Sequence, residues 1–563
     1  LENKPLLVGP AGFVTQSGAL GYSIFNLAQE AGIGFTYIVS TGNEVDLHSL
    51  ELLEYMVEDP DTRLLISYFE GIKDGRRFAE VAERALELGK PIVALKVGKT
   101  EVGQKAASSH TASMTGSETV FGAFFKQKGI IRVNDIEEIL DIAYLYGRIP
   151  LPTGKGLGVV TTSGGAGILV ADAAVEMGLS VPELDESVRA KINQVIPDYG
   201  SALNPVDVTA QVINDPQGFI QVLEAMLENP AIDALVIVVT MIAGAAGERL
   251  ARDIVEVYRR SSKPVVVAWT AGDRLMENCF AILRKGDVPY FKSPVRCVKA
   301  LGALMKYSAF RQEWLHSRTG VHEEVAATTT ADLLNRAREI LENTGDSLTE
   351  HEGKMLLAHY GIPVTEEEVV TTPEEALAVA RRIGYPVAVK IDSPDILHKT
   401  EAKAIKLGIS SDEQLLAAYR EVLENARNYQ PEARIDGVLI QEMVSGGTEV
   451  IVGMKNDSQF GPVLVFGLGG IFVEILKDVV LRVAPITRDE AYKMISSIKG
   501  YKILEGARGR EPGDLKALAE VLVKVGQLAV DLGDVIGEID INPLLVLPRG
   551  QGVKAVDALV IKK

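Results

Sequence analysis

Two stretches of this chain are one unit written twice. Val14-Thr15-Gln16-Ser17-Gly18-Ala19-Leu20-Gly21-Tyr22-Ser23 and Val160-Thr161-Thr162-Ser163-Gly164-Gly165-Ala166-Gly167-Ile168-Leu169 align without a gap. Each follows an apolar run (residues 6–15 and 157–162), and each leads into a helix-like stretch, the first reaching about residue 31 and the second about residue 178. Passing from strand through Ser-Gly into helix makes a βα unit. Successive βα units commit a chain to parallel strands with helical crossovers. Further strands are predicted near residues 35–40, 64–69 and 92–97, each trailed by helical periodicity, and residues 155–305 repeat the scheme. The fold class is therefore α/β, with two doubly wound parallel-sheet domains over 1–150 and 151–310. A charged helix near 332–343 reads as a linker (311–345) before a last domain over 346–563. A chain of 563 residues has room for three to four domains.

The repeated turn has a chemical consequence. Ser-Gly between a buried strand and a helix start aims backbone N–H groups and a helix N-terminus at one spot, which favours an anion. A single such turn is weak evidence, because tight βα turns use glycine anyway. Two copies point to a phosphate held at Ser17 and Gly18 on one side and at Ser163, Gly164 and Gly165 on the other. Between them in the chain lies Ala106-Ala107-Ser108-Ser109-His110-Thr111-Ala112-Ser113-Met114-Thr115-Gly116, which sets one of seven histidines among small residues after the apolar run 91–97. Loops at the carboxyl ends of parallel strands are where open α/β sheets bind ligands. His110 can serve there as nucleophile, base or phosphate carrier; taken alone it is equally a solvated loop histidine. Asn204-Pro205-Val206-Asp207 forms a turn to which the residues alone assign no role.

The last domain opens on a helix near 349–360 with a capping box, Thr349 and Glu352, closed by Gly361. A buried strand near 386–391 carries Lys390, and the loop after it holds Ile396-Leu397-His398-Lys399-Thr400-Glu401. A strand near 438–443, carrying Glu442, leads into Gly446-Gly447-Thr448-Glu449, a glycine-rich segment spans 467–470, and Arg482 follows. Glu538-Ile539-Asp540-Ile541-Asn542-Pro543-Leu544 and, after a turn at Arg549-Gly550, Val556-Asp557-Ala558 place acidic and amide oxygens at paired strand ends, a donor set suited to Mg²⁺. Singly, Lys390 is a strand-edge lysine and Asp557 a solvated turn carboxylate. Together they describe a nucleotide site.

A net charge of −18 argues against non-specific nucleic-acid binding and against docking on anionic membranes. No apolar run reaches the roughly 18 residues of a membrane span. The two cysteines, Cys279 and Cys297, lack metal-ligand spacing and suit a reducing cytoplasm.

In combination these motifs resemble those of the nucleoside-diphosphate-forming acyl-CoA synthetases, of the ADP-forming acetate–CoA ligase type, relatives of succinyl-CoA synthetase. The resemblance covers essentially the whole chain. It implies a phosphohistidine flavodoxin-like domain, a second flavodoxin-like domain and a C-terminal ATP-grasp domain. It implies that His110 carries the phosphoryl group, that Glu70 orients it, and that His398 is a second histidine shuttling phosphate. It implies that Lys390, Glu442, Glu449 and Arg482 contact ATP or ADP, and that Asn542 and Asp557 bind Mg²⁺ with Asp540 nearby. The expected substrates are a small carboxylic acid, CoA and phosphate, in a cytoplasmic and homo-oligomeric protein. The family's Rossmann-like CoA-binding domain is expected upstream of Leu1. Where the family usually has paired glycines after His398, this chain has Lys403-Ala404. Two other readings use the same scaffold. One is an acyl-CoA-sensing or protein-acetyltransferase-associated subunit without ligase activity. The other is an ATP-grasp carboxylate–amine ligase, which leaves His110 and the twin turns unexplained.

Overall fold

The computed structural model describes residues 6–100, 102, 103, 105, 117–319, 331–342, 344–396, 398–470, 478–509 and 511–563. His110 and its loop lie outside the described residues. The chain divides into two units. The first takes most of the chain up to residue 320; the second takes the remainder together with two short earlier segments.

The first unit contains two five-stranded parallel sheets. One is built from β1 (Ala11–Thr15), β2 (Phe35–Ser40), β3 (Leu64–Phe69), β4 (Ile92–Lys96) and β5 (Ile131–Val133), in the order β2-β1-β3-β4-β5. The other is built from β6 (Leu157–Thr161), β7 (Val206–Asp207), β8 (Ala234–Thr240), β9 (Val265–Thr270) and β10 (Tyr290–Phe291), in the order β10-β9-β8-β6-β7. Counted from its own first strand, each sheet has the flavodoxin-like order 2-1-3-4-5. β1, β3, β4 and β6 are buried along their whole length, as strands covered by helices on both faces must be. One apolar core joins the two sheets, with Phe13, Ile66 and Val93 from one and Val159, Val236 and Val266 from the other. Ile139, Val170, Val298 and Leu301 from the helices complete it.

The second unit is antiparallel. Its first sheet holds β11 (Glu367–Val370), β12 (Val387–Asp392), β13 (Ile405–Ile409) and β14 (Gly437–Glu442), in the order β11-β14-β12-β13. Its second holds β15 (Thr448–Asp457), β16 (Gly461–Leu468), β17 (Val479–Val483), β18 (Ile536–Val546), β19 (Val553–Ala555) and β20 (Ala558–Lys562). These run in the order β17-β16-β15-β18-β19, with β20 also paired to β18. Each sheet has its own core, one closed by Ala376, Ala380, Leu415 and Val422 and the other by Leu356, Met494, Leu522 and Val525. The capping box forms as the sequence predicts: Glu352 N–H donates to Thr349 Oγ1 at 3.2 Å, and Thr349 N–H to Glu352 Oε2 at 2.8 Å. Helix Ala331–Glu342 buries Ala337 and Leu341 in the second core, so it is packed rather than spanning open solvent.

Helix Glu118–Gln127, which follows the His110 loop in the chain, belongs to the second unit. Phe121 and Phe124 pack on Phe460 with ring centroids 4.9 and 4.7 Å apart. Gln127 pairs with both backbone groups of Val483, donating from Nε2 to the carbonyl at 3.0 Å and accepting its N–H on Oε1 at 2.9 Å. Among the described residues no helix is long and apolar enough to cross a membrane.

Candidate functional site

In the first unit the two repeated turns have the same internal bonds. Thr15 Oγ1 accepts the Ser17 N–H at 3.1 Å and donates to the Ser17 carbonyl at 3.0 Å. Thr161 does the same to Ser163, at 3.0 and 2.7 Å. Ser17 and Ser163 stand at the N-caps of helices Gly18–Glu30 and Gly164–Glu176 in extended backbone, and neither side chain caps its helix. The hydroxyl that would satisfy an N2 or N3 amide is therefore not so used. Three residues beyond each Ser-Gly a second glycine lets the helix approach the strand. A Cβ at Gly21 would overlap Thr15 Cγ2, and one at Gly167 would lie 2.9 Å from Thr161 Cγ2. The motif is thus Thr-x-Ser-Gly-x-x-Gly, with the threonine set by its bonds to the serine backbone and the second glycine by its approach to the threonine. Both turns sit at the carboxyl ends of β1 and β6, where strand order reverses and open α/β sheets bind ligands.

Glu70 follows β3 directly and is buried. Gln16, in the first turn, holds it in place. Gln16 Oε1 accepts the N–H of Glu70 at 2.6 Å and of Gly71 at 3.2 Å, and Nε2 donates to the Gly71 carbonyl at 2.9 Å. Sequence reasoning passed over Gln16, whose signal was its place inside the repeated motif. The turn at 204–207 also gains a role. Asn204 Oδ1 accepts the Val159 N–H at 3.0 Å, while Nδ2 donates to the carbonyls of Leu157 and Pro182 at 2.9 and 3.1 Å, so it fastens β6. Asp207 brings its carboxylate beside Gly164: Oδ2 lies 3.0 Å from where a Cβ there would stand.

In the second unit three lysines close on one carboxylate. Glu350 opens helix Glu350–His359 and is fully buried. Its Oε1 is 2.7 Å from Lys354 Nζ and 2.7 Å from Lys390 Nζ; its Oε2 is 2.9 Å from Lys399 Nζ. Lys390 comes from β12, and Lys399 from the loop next to His398. The Val556 carbonyl accepts from Lys354 at 2.9 Å, Gln441 Nε2 at 3.2 Å and Lys390 at 3.3 Å, which fixes the turn carrying Asp557. Asp557 is the open corner, a third exposed, with Lys390 at 4.0 Å and Lys399 at 3.9 Å. Lys354 also pairs with Glu367, so three ammonium groups face three carboxylates.

The electrostatics follow from this packing. Burial alone would raise the Glu350 carboxyl, but Lys390, Lys354 and Lys399 outweigh it and hold it far below the usual carboxylate range. Burial pulls Lys399 down, and Glu350 with Asp557 more than restores it. Asp557 itself is raised, first by burial and then by Glu350, against the three lysines. Asp540 is raised by burial, then by Glu538 and Asp557. The Asn542 N–H donates to the Asp557 carbonyl at 3.2 Å, so Asn542 and Asp557 are neighbours across the strand ends.

The other sequence-derived candidates make contacts of their own. Glu442 ends β14 with its carboxylate engaged by Lys554 and by the Glu366 N–H at 2.7 Å. Glu449 is fitted against glycine: its carbonyl accepts the Gly469 N–H at 2.8 Å, and a Cβ at Gly470 would stand 3.2 Å from its Oε2. Arg482 is buried in β17 and donates to the Leu481 carbonyl at 2.8 Å; burial lowers its guanidinium, against Glu490. His398 is exposed. After it Lys403 takes φ 51°, the left-handed conformation that glycine adopts without strain, so the backbone keeps a glycine-like bend with a lysine in place. Glu350, Lys354 and Lys399 were not singled out from sequence. The usable signal was the four-residue spacing of Glu350 and Lys354 on a capped helix.

Comparison with known proteins agrees with the two sheets and the antiparallel unit. Residues 8–146 match the succinyl-CoA ligase like flavodoxin domain, 157–313 the ligase-CoA domain and 339–561 the ATP-grasp domain. The chain is 36% identical over 545 residues to acetate–CoA ligase (ADP-forming) I of Archaeoglobus fulgidus, spanning 97% of this chain and 77% of that one. It is 34% identical over 559 residues to 4-hydroxybutyrate–CoA ligase (ADP-forming) of Nitrosopumilus maritimus, spanning 98% and 78%. Among solved structures, the dinucleotide forming acetyl-coenzyme A synthetase 1 of Ca. Korarchaeum cryptofilum, in complex with phosphate and ADP, is 32% identical. It covers 56% of this chain and 68% of that one, with a TM-score of 0.51. With its three domains in this order and relatives matched over nearly its whole length, the chain belongs to the nucleoside-diphosphate-forming acyl-CoA synthetases.

Proposed function

We propose that this protein catalyses ADP-forming acid–thiol ligation, converting acyl-CoA, phosphate and ADP reversibly into carboxylate, CoA and ATP. A phosphate oxygen attacks the thioester carbonyl, the C–S bond breaks, and the thiolate takes a proton to leave as CoA, giving an acyl phosphate. A ring nitrogen of His110 attacks the phosphorus, the P–O bond to the acyl group breaks, and the carboxylate departs. An oxygen of the ADP β-phosphate then takes the phosphoryl group from the histidine. Such transfers depend mainly on positioning and charge stabilisation.

In this reading Glu70 accepts from one ring N–H of His110 and leaves the other nitrogen nucleophilic. Ser17 and Gly18, with Ser163, Gly164 and Gly165, hold the phosphate at two helix N-termini. Lys390, Glu442, Glu449 and Arg482 contact the nucleotide, and His398 passes the phosphoryl group between the sites. The oxygens of Asp557, Asn542 and Asp540 fit Mg²⁺ as an open-sided set, Asp557 being partly exposed. Among the described residues no group of three acidic, histidine or cysteine side chains is placed to hold a metal ion, so in this reading water and phosphate oxygens would supply the remaining ligands. When bound, Mg²⁺ neutralises charge on the transferring phosphates.

The observation that carries the reading is the pair of identically bonded Thr-x-Ser-Gly turns, each at the switch point of its sheet with an uncapped helix start. Relatives named for acetate and for 4-hydroxybutyrate support a small carboxylic acid as the substrate class. Free, buried Cys279 and Cys297 support a cytoplasmic setting. Exposed Ile168, Leu169 and Val175 on one helix support pairing with a second copy. The test is incubation with γ-labelled ATP and Mg²⁺, and separately with ³²P-acetyl phosphate. Both routes are expected to give an acid-labile, alkali-stable label that His110→Ala abolishes. Absence of label by both routes overturns the proposal.

A further inference from the structure

The proposed function gives roles to Lys390 and His398 but to neither Glu350 nor Lys399. Lys390 and Lys399 both close on Glu350, each on a different oxygen, at 2.7 and 2.9 Å. The same two ammonium groups reach Asp557 at 4.0 and 3.9 Å. The four side chains thus alternate in charge around a ring whose inner corner, Glu350, is sealed from solvent and whose outer corner, Asp557, is open. A buried ring of this kind is costly to assemble, and apolar residues of similar volume often serve stability as well. What it supplies is placement. A lysine has four rotatable bonds in its stem, and two lysines fixed at both ends lose that freedom before any ligand arrives. Lys399 is also the residue after His398, so holding its ammonium group fixes the base of the loop on which His398 stands.

We propose that Glu350 is a positioning residue for phosphoryl transfer at the nucleotide site, acting through Lys390 and Lys399 to set two cations beside the open Asp557 corner. The proposal rests on the nucleotide-site reading above and deepens it. The ligand it serves is the polyphosphate of a nucleoside di- or triphosphate. Three lysines against Glu350, Glu367 and Asp557 leave the cluster close to neutral. A divalent cation held at the Asp557 carboxylate would turn the open corner positive, as a polyphosphate requires. Lys354 completes the support from behind, since it shares Glu350 Oε1 and the Val556 carbonyl with Lys390.

The test uses the two labelling routes to His110, because just one of them passes through the nucleotide site. Glu350→Gln is expected to slow labelling from γ-labelled ATP by ~100-fold, mostly in the maximal rate, while labelling from ³²P-acetyl phosphate stays within about twofold of wild type. Glu350→Asp, which keeps the charge on a shorter arm, is expected to recover part of the ATP route. Equal loss in both routes together with a lowered melting temperature would assign Glu350 a purely structural role and overturn the proposal. So would an unchanged ATP route. If Glu350→Gln fails to fold, Lys399→Gln, which removes the outer lysine and leaves the Glu350–Lys390 pair, is expected to give the same route-selective loss. An unaffected ATP route in that variant overturns the proposal. Wild type that takes label by neither route overturns the ligase reading instead.

Discussion

The two parallel sheets of the first unit share strand order, turn chemistry and helix start, yet they carry their carboxylates on opposite sides of the switch point. Strand register makes the comparison residue by residue. Thr15 pairs with Ser40 on one side and Tyr68 on the other; Thr161 pairs with Asp207 and Val238. Two residues past Tyr68 stands Glu70, and two past Val238 stands Thr240. The first repeat therefore sets neutral Ser40 against acidic Glu70, and the second sets acidic Asp207 against neutral Thr240. The residue that reaches across also differs. Gln16 clamps the backbone at Glu70, whereas Thr162 Oγ1 accepts the Thr240 N–H at 3.0 Å. A shared scaffold makes the same turn twice, and in the proposed reading the strand ends beside it set which repeat orients the histidine.

The comparison breaks most visibly at the strand ends. Glu70→Gln keeps the shape and removes the acceptor charge, and it is expected to slow phosphorylation of His110 from acetyl phosphate by ~100-fold, within the span of positioned acid–base groups. Thr240→Val at the matching place is expected to change that rate by less than about threefold, because a lost hydroxyl bond there touches no proposed reacting group. Equal losses at the two positions would mean that the repeats work alike and that the carboxylate has no special part.

Helix-to-strand packing comes next. Alanine in a helix gains about 1 kcal/mol over glycine, while overpacking a core contact costs about 1–3 kcal/mol. At Gly21 the added Cβ overlaps the short, rigid Thr15 side chain, so Gly21→Ala is expected to destabilise by about 2 kcal/mol. At Gly167 the contact is looser and the two effects nearly cancel, leaving Gly167→Ala within about 1 kcal/mol of wild type. Urea titration of the two variants measures the contrast. Removal of the turn hydroxyls follows. Thr15→Val and Thr161→Val each lose the bonds to the following serine's N–H and carbonyl, and each is expected to cost about 1–2 kcal/mol, equally in the two repeats. A large inequality would show that the turns differ in ways their bonds do not.

How much of this could be read in advance depends on whether a feature is local. The repeat, the parallel strands and the Thr349–Glu352 capping box are written in consecutive residues, where periodicity and short spacings report structure directly. Gln16 and Glu70 are 54 residues apart in the chain, and nothing near either one announces the other. The lysine cluster is harder still: residues 350, 354, 390, 399 and 557 come from a helix, a strand, a loop and a turn, and just the first two have a telling spacing. Arg482 joins the nucleotide residues by motif resemblance, and in the structure its guanidinium donates to the carbonyl of its own neighbour Leu481. Lys403 shows the reverse case. A lysine stands where the family usually has glycine, and the surrounding turn still imposes a left-handed bend, with the Ala404 N–H donating to the Lys399 carbonyl at 2.9 Å.

The finest distinction between the repeats is the charge facing the helix start. Gly18 looks toward the Ser40 hydroxyl, 3.7 Å from where its Cβ would be, whereas Gly164 looks toward the Asp207 carboxylate. A carboxylate there favours the helix N-terminus by about 0.3–1 kcal/mol and competes with any anion for the same N–H groups. Asp207→Asn is therefore expected to tighten inorganic phosphate binding by a few fold and to lower stability by about 0.5 kcal/mol, two changes of opposite sense. Ser40→Asp in the first repeat is expected to do the converse, weakening phosphate binding there. Calorimetric titration of phosphate into the two variants at low ionic strength, where such effects are least screened, decides the matter. If Asp207→Asn binds phosphate no better than wild type, the second turn is not an anion site, and the phosphate of the proposed reaction is held by the first repeat alone.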